Sequence, residues 1–269
     1  MVHLYLKYSM FLCVIFILPL NNFAQSPYEM NWKKDGALIV IGIPLTAVGI
    51  SLDRLVDPLT QDELNRLSRD NIFTPDRFVS FNYSESAAEL SDILIYTCLA
   101  SPLLLLTSKT IRNDAAVITG MYLESIALGV ALPAYGKGGF RRIRPYAYNK
   151  EVSLDKKLTS EARKSFFSGH TTLSFTSMVY LSLVYSTYYP QSNVKPYIWT
   201  GSLLLASTVG YLRIAAGSHF LTDVLVGAIV GSAIGYVIPK IHETANSKPE
   251  LQIPNNAKRK PVISFQISF

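Results

Sequence analysis

Apolar runs recur along the chain, separated by short polar breaks. Met10 to Leu20 is the first, and Gly36 to Leu52, with Pro44 inside it, is the second. A mixed-charge stretch over 53–90 follows, with helix-like spacing from Gln61 to Arg69 and a loop signal at Thr74-Pro75-Asp76. Four further elements lie beyond it: Ser91 to Ser108, Asn113 to Tyr135, Ser168 to about Tyr188, and Ile198 to about Ala216. A last one runs from His219 to about His242. Runs of this length and apolarity predict helices that are buried or embedded in a membrane. The expected fold class is all-α: a membrane-embedded bundle of about six helices. Gly227, Gly231 and Gly235 recur every four residues in the last helix, a spacing that lets helices approach closely.

Residues 1–24 fit a secretory signal or an N-terminal anchor: Lys7 is the positive region, and Asn22-Phe23-Ala24 a cleavage site. The remaining organisation reads as a first helix and polar connector (25–90), a helical core (91–242) and a polar tail (243–269). Composition sharpens this. Of 269 residues, 49% are hydrophobic and only 16% charged, which suits a membrane protein with polar loops. The net charge of +6 favours anionic partners. No basic run interleaved with aromatics tracks a nucleic-acid strand, so nucleic acid is not expected as a partner. Of the two cysteines, Cys13 lies in the N-terminal segment and Cys98 in an apolar helix, where a small core residue is expected. No Cys/His spacing of the zinc type and no nucleotide-binding glycine loop is present.

The candidate chemistry gathers in three short segments. Lys137-Gly-Gly-Phe-Arg-Arg-Ile-Arg144-Pro145 follows the third helix, Ser168-Gly169-His170 opens the fourth, and Arg213 to Asp223 joins the fifth to the sixth. In an up-down bundle these helix ends share one face. Lys137, Arg144 and Arg213 suit a phosphoryl group. Ser168 and Gly169 stand at a helix N-terminus, an anion site by geometry, although Ser168 also suits a plain N-cap. His219 and Asp223, four apart, would be neighbours on a helix, with Asp223 holding one ring nitrogen and the other free to attack phosphorus. His170 can protonate a leaving oxygen. Arg141 and Arg142 read as surface charge.

The pattern resembles the type 2 phosphatidic acid phosphatase superfamily, which includes class A acid phosphatases and vanadium haloperoxidases. Its signature of Lys-x6-Arg-Pro, Pro-Ser-Gly-His and Ser-Arg-x5-His-x3-Asp is met by Lys137–Pro145, Phe167–His170 and Leu212–Asp223, with Phe167 and Leu212 departing from it. The resemblance implies a phosphatase working through a phosphohistidine without a metal or other cofactor. His219 would be the nucleophile, Asp223 its partner and His170 the acid, while Lys137, Arg144, Ser168, Gly169 and Arg213 hold the phosphate. A lipid phosphate is the expected substrate and a membrane the expected setting. A soluble periplasmic acid phosphatase, a haloperoxidase and a scaffold with a degenerate site are the competing readings. Family likeness also implies a catalytic face toward the periplasm of a bacterial-type inner membrane. That requires residues 36–52 not to cross if 1–24 are cleaved.

Overall fold

The structure, a computed structural model, describes residues 26–244. The segment read as a signal or anchor lies outside them, as does the tail from residue 245. Among the described residues six long helices carry the fold: α1 (Trp32–Arg54), α2 (Glu85–Ala100), α3 (Ala115–Phe140), α4 (Gly169–Tyr188), α5 (Lys195–Ala215) and α6 (Leu221–His242). Helix α4 is the hub and packs against α2, α3, α5 and α6, while α1 lies along α3. An all-α bundle is therefore confirmed.

The small residues explain the tightest packing. A methyl group at Gly227 would come within 2.8 Å of the Ser168 carbonyl oxygen, and at Gly235 within 2.5 Å of that of Thr176. Between them, Gly231 lies against the Thr172 carbonyl so closely that a side chain would collide with it. The glycine stripe of α6 thus rests on the backbone of α4, which fixes where α6 begins relative to the start of α4.

Several boundaries differ from expectation for local reasons. Helix α2 stops at Ala100 and tightens into a 3-10 turn over Ser101–Thr107. Pro102 lacks the N–H that an α-turn would use and crowds the preceding carbonyl. Asn113 does not cap α3. It ends a short helix, Lys109–Asn113, and α3 starts at Ala115. At its other end α3 continues to Phe140, so Lys137 belongs to its last turn. The run at 36–52 is the middle of α1, whose 23 residues reach about 34 Å at 1.5 Å per residue.

Three stretches among the described residues are long and apolar enough to cross a membrane: Glu85–Thr107, Ala115–Tyr148 and Leu221–His242. Their outward residues suit lipid. Ile93, Leu103, Leu104, Leu225 and Ile229 are exposed, as are Val40 on α1 and Leu204 on α5. Cys98 is a free, buried thiol packed with Met178, Ala206 and Val209, as a core residue should be.

Candidate active site

Backbone hydrogen bonds stitch the three motif segments together. The Arg144 N–H donates to the Ala162 carbonyl at 2.7 Å, and the Ser165 N–H to that of Arg142 at 2.9 Å. These bonds lay the chain after α3 beside the chain before α4. The Tyr146 N–H donates to the Gly217 carbonyl at 2.9 Å, and the Ser168 N–H to the Asp223 carbonyl at 3.2 Å. The first reaches the turn between α5 and α6 and the second the first turn of α6. The α5–α6 turn closes on itself: the Ser218 and His219 N–H groups donate to the Arg213 carbonyl at 3.0 and 3.3 Å. Gly217 takes φ +64° there, and a side chain on it would collide with the Asn82 carbonyl. Glycine is the residue that meets both demands.

His219 is the centre of the site and is 1% exposed. Its Nδ1 lies 2.6 Å from the Ser165 carbonyl oxygen. A carbonyl only accepts, so Nδ1 carries the proton and the lone pair of the neutral ring is on Nε2. Burial, then the positive charges of Arg144, Arg213 and Lys137, hold the pKa of His219 well below the usual histidine value. The ring is therefore neutral, with a free nitrogen, near neutral pH.

Asp223 does not take the part expected of it. Its carboxylate is 3.9 Å from His219 Nδ1, beyond hydrogen-bond reach. The reason is local: His219 precedes α6 rather than lying on it, so the four-residue spacing no longer makes the two side chains helix neighbours. Asp223 instead accepts from the Phe220 N–H at 2.9 Å, the Ser165 hydroxyl at 2.5 Å and the Arg142 guanidinium at 2.5 Å. Since the Ser165 carbonyl holds His219, Asp223 reaches the imidazole through Ser165.

Arg142 is a further correction. Far from being surface charge, its guanidinium joins two fully buried carboxylates, Asp223 and Asp76, the latter at 2.8 Å. It also lies over the Phe220 ring at 4.3 Å and donates to the Thr222 hydroxyl. Asp76 in turn accepts from the Thr222 N–H and hydroxyl at 2.9 and 2.6 Å, which ties the connector before α2 to the first turn of α6. Arg141 does behave as expected. It ends α3 in the left-handed conformation, and its half-exposed side chain meets Asp57 at 3.7 Å.

His170 opens α4 with Nε2 2.8 Å from Asp92 Oδ1, and the same oxygen lies 3.4 Å from Arg213 Nη1. Asp92, on α2, was not foreseen. It lies at the start of an apolar run with no motif around it, and only the packing of α2 on α4 and α5 brings it in. Ser168 caps α4, its hydroxyl accepting from the Thr171 N–H and hydroxyl. The capping role weighed from sequence is therefore the one its contacts display. Gly169 is different. A methyl there would meet only Pro133 at 3.7 Å and Lys137 Nζ at 3.8 Å, both ordinary contacts.

The cations are incompletely used. Arg144 gives Nη2 to Glu161 at 3.2 Å and Arg213 gives Nη1 to the Ser91 hydroxyl at 2.9 Å. The Nε of each is buried with no hydrogen-bond partner. Burial would raise the pKa of Glu161, but Arg144, Lys164 and Lys137 outweigh it and hold that carboxyl below its usual value. Glu161 thus stays charged and anchors the outer side of Arg144.

Residues 118–247, just under half of the chain, match the PAP2 superfamily. Lipid A 4'-phosphatase of Porphyromonas gingivalis is 28% identical over 143 residues, covering 52% of this chain and 57% of that protein. Phospholipid phosphatase-related protein type 1 of Mus musculus is 27% identical over 161 residues, covering 57% and 49%. The chain spans about half the length of these relatives. The crystal structure of Aquifex aeolicus LpxE matches 65% of this chain and 99% of that one, at 23% identity and a TM-score of 0.44.

Proposed function

We propose that this protein is a membrane phosphatase that hydrolyses a phosphate monoester or diphosphate of a lipid through a phosphohistidine. The observation that carries this reading is the pair of buried, unpartnered Nε donors on Arg144 and Arg213, beside a histidine whose free nitrogen is Nε2. A buried donor without a partner costs about 1–3 kcal/mol, more when charged. Phosphate oxygens would satisfy both. Lys137, in the last turn of α3, adds a third cation near Gly169. Charge spread over the transferring phosphoryl oxygens is what such a cluster stabilises.

His219 Nε2 attacks phosphorus while the bond to the leaving oxygen breaks. Its Nδ1 keeps its proton and donates it in a hydrogen bond to the Ser165 carbonyl, which stabilises the developing imidazolium. His170 gives its proton to the leaving oxygen. It then takes one from the water that attacks the phosphohistidine, so that phosphate leaves and His219 is regenerated. With Nε2 of His170 against Asp92, proton exchange runs through Nδ1. Exposed apolar residues on α2 and α6 support a lipid tail beside this end of the bundle. The relatives' printed names support phosphorylated lipid A or a phospholipid phosphate as the substrate class. We place the catalytic end on the periplasmic side, which a reporter fused within 146–162 reads directly.

The test is turnover of a lipid phosphate panel by the purified protein in detergent, with acid-labile label on histidine read in parallel. His219→Ala should lower phosphate release by about a thousandfold or more and abolish the label. Unchanged turnover in that variant would sink the mechanism.

A further inference from the structure

Three polar side chains meet at the opposite end of the bundle, far apart in sequence. They are Asp35 in the first turn of α1, Glu124 on α3 and His242 at the end of α6. Asp35 is 5% exposed and His242 2%. Along α3, Glu124 is roughly 20 Å from Lys137 at 1.5 Å per residue, so the cluster is separate from the phosphate site.

We propose that Asp35, Glu124 and His242 form a site for one divalent first-row cation, of the Zn2+ or Mn2+ class. His242 sets the geometry of the cluster. Its Nδ1 lies 2.8 Å from the Ile238 carbonyl, which only accepts, so Nδ1 carries a proton. Its Nε2 then faces two carboxylates, Asp35 Oδ1 at 2.9 Å and Glu124 Oε2 at 3.3 Å. One nitrogen carries at most one proton, and Asp35 has the better geometry for it. Neither oxygen of Glu124 has a hydrogen-bond partner, although both are shielded from solvent. An imidazolium between two carboxylates would leave one buried negative charge uncompensated, which is costly. A divalent cation on a neutral imidazole and two carboxylates balances the charge and gives Glu124 a partner.

Geometry and donor chemistry agree. Each residue offers one donor atom, and the three lie within 4.8 Å of one another. Donors about 2.0–2.2 Å from a shared ion stand about 3–4 Å apart, and His242 Nε2 lies at 2.9 and 3.3 Å from the two carboxylates. One imidazole with two carboxylates suits a first-row divalent ion, and the Ile238 carbonyl orients the imidazole from behind. The chain also closes over the place. The Glu29 N–H donates to the His242 carbonyl at 2.9 Å, and Tyr28 pairs with Glu243 in an antiparallel bridge. The ion would join α1 to the α3–α6 pair.

The test uses the full chain, untagged and in detergent, stripped of metal and dialysed against Zn2+ or Mn2+. Wild type and His219→Ala should each retain about one ion per chain, with a raised unfolding temperature in the presence of the ion. Glu124→Gln, which keeps the shape but not the charge, should bind at least about tenfold more weakly and lose that stabilisation. Co2+ should give a visible absorption band in wild type that is lost in His242→Ala. If wild type binds no more ion than Glu124→Gln, and Glu124→Gln is as stable as wild type without metal, Glu124 is simply protonated and the proposal fails. Loss of the ion in His219→Ala would also overturn it, because the ion would then belong to the phosphate site.

Discussion

The two ends of the bundle are built by opposite rules. At the end that carries His219, cations outnumber their partners: Lys137, Arg144 and Arg213 surround a neutral His219, and two guanidinium Nε atoms are unpartnered. At the other end, carboxylates outnumber cations: Asp35 and Glu124 share one imidazole. Each end has a buried surplus of one sign, and each surplus identifies the charge of what it would hold. The difference lies in the support. The His219 end is braced by loop cations that form ion pairs, notably Arg142 between Asp76 and Asp223, and Lys164 between Asp53 and Glu161. The distal end has the helices themselves and the short bridge at Tyr28.

The brace at Arg142 offers the largest effect. Removing one member of a buried ion-pair network leaves the others charged and unpaired, at a cost of about 3–5 kcal/mol. Arg142→Ala should therefore lower the unfolding midpoint in detergent by several degrees and reduce phosphate release as the turn before α6 loosens. Arg142→Lys should not restore it, since an ammonium cannot fork to both carboxylates. Adding Asp76→Asn to Arg142→Ala should recover part of the loss, a coupling that a double-mutant cycle measures. Purely additive losses would mean that Arg142 is not the brace described.

This contrast also explains what the sequence could reveal. The meeting of the three segments at the His219 end was legible because they sit at helix ends, so spacing brought Lys137, Arg144, Ser168, Gly169, His170, Arg213 and His219 to one face. The glycine stripe on α6 was legible for the same reason. What spacing could not supply was orientation. Whether Asp223 touches His219 depends on where α6 begins, and a start at Leu221 instead of His219 is enough to turn Asp223 toward Arg142. Asp92, Asp76 and the distal cluster depend on helix packing across most of the chain, and no local pattern marks them. Arg142 was read as surface charge because two adjacent arginines look equivalent in sequence. The left-handed residue at Arg141 sends one outward and the other in.

A smaller effect is expected at Asp92, which orients His170 and touches Arg213 without being part of the buried brace. Asp92→Asn keeps the shape and removes the charge that supports a protonated His170. Turnover should fall by about ten- to a hundredfold, at or below the roughly hundredfold lower end of what a positioned acid contributes, because Asp92 acts through His170. The concentration of substrate needed for half-maximal rate should change little, and the alkaline limb of the pH profile, which reports protonated His170, should move to lower pH because Asp92 raises the His170 pKa. A loss confined to substrate affinity would instead assign Asp92 to Arg213 alone.

The smallest effect separates glycines kept for packing from one kept for a ligand. At Gly231 a side chain has no room, because the Thr172 backbone is already there. At Gly169 the protein leaves room: an added methyl would stand 3.7 Å from Pro133 and 3.8 Å from Lys137 Nζ. Alanine is also the better helix former, by up to about 1 kcal/mol in a helix interior and less in a first turn. Gly169→Ala should therefore leave the unfolding midpoint unchanged or slightly raised. The methyl would nevertheless occupy space beside Lys137 Nζ, where a phosphate oxygen would approach. The half-saturating substrate concentration should rise by about threefold to tenfold, roughly 0.7–1.4 kcal/mol of binding. A variant equally stable and equally active would show that the ligand does not come against the start of α4, and the phosphate would then have to be held by Arg144 and Arg213 without Lys137.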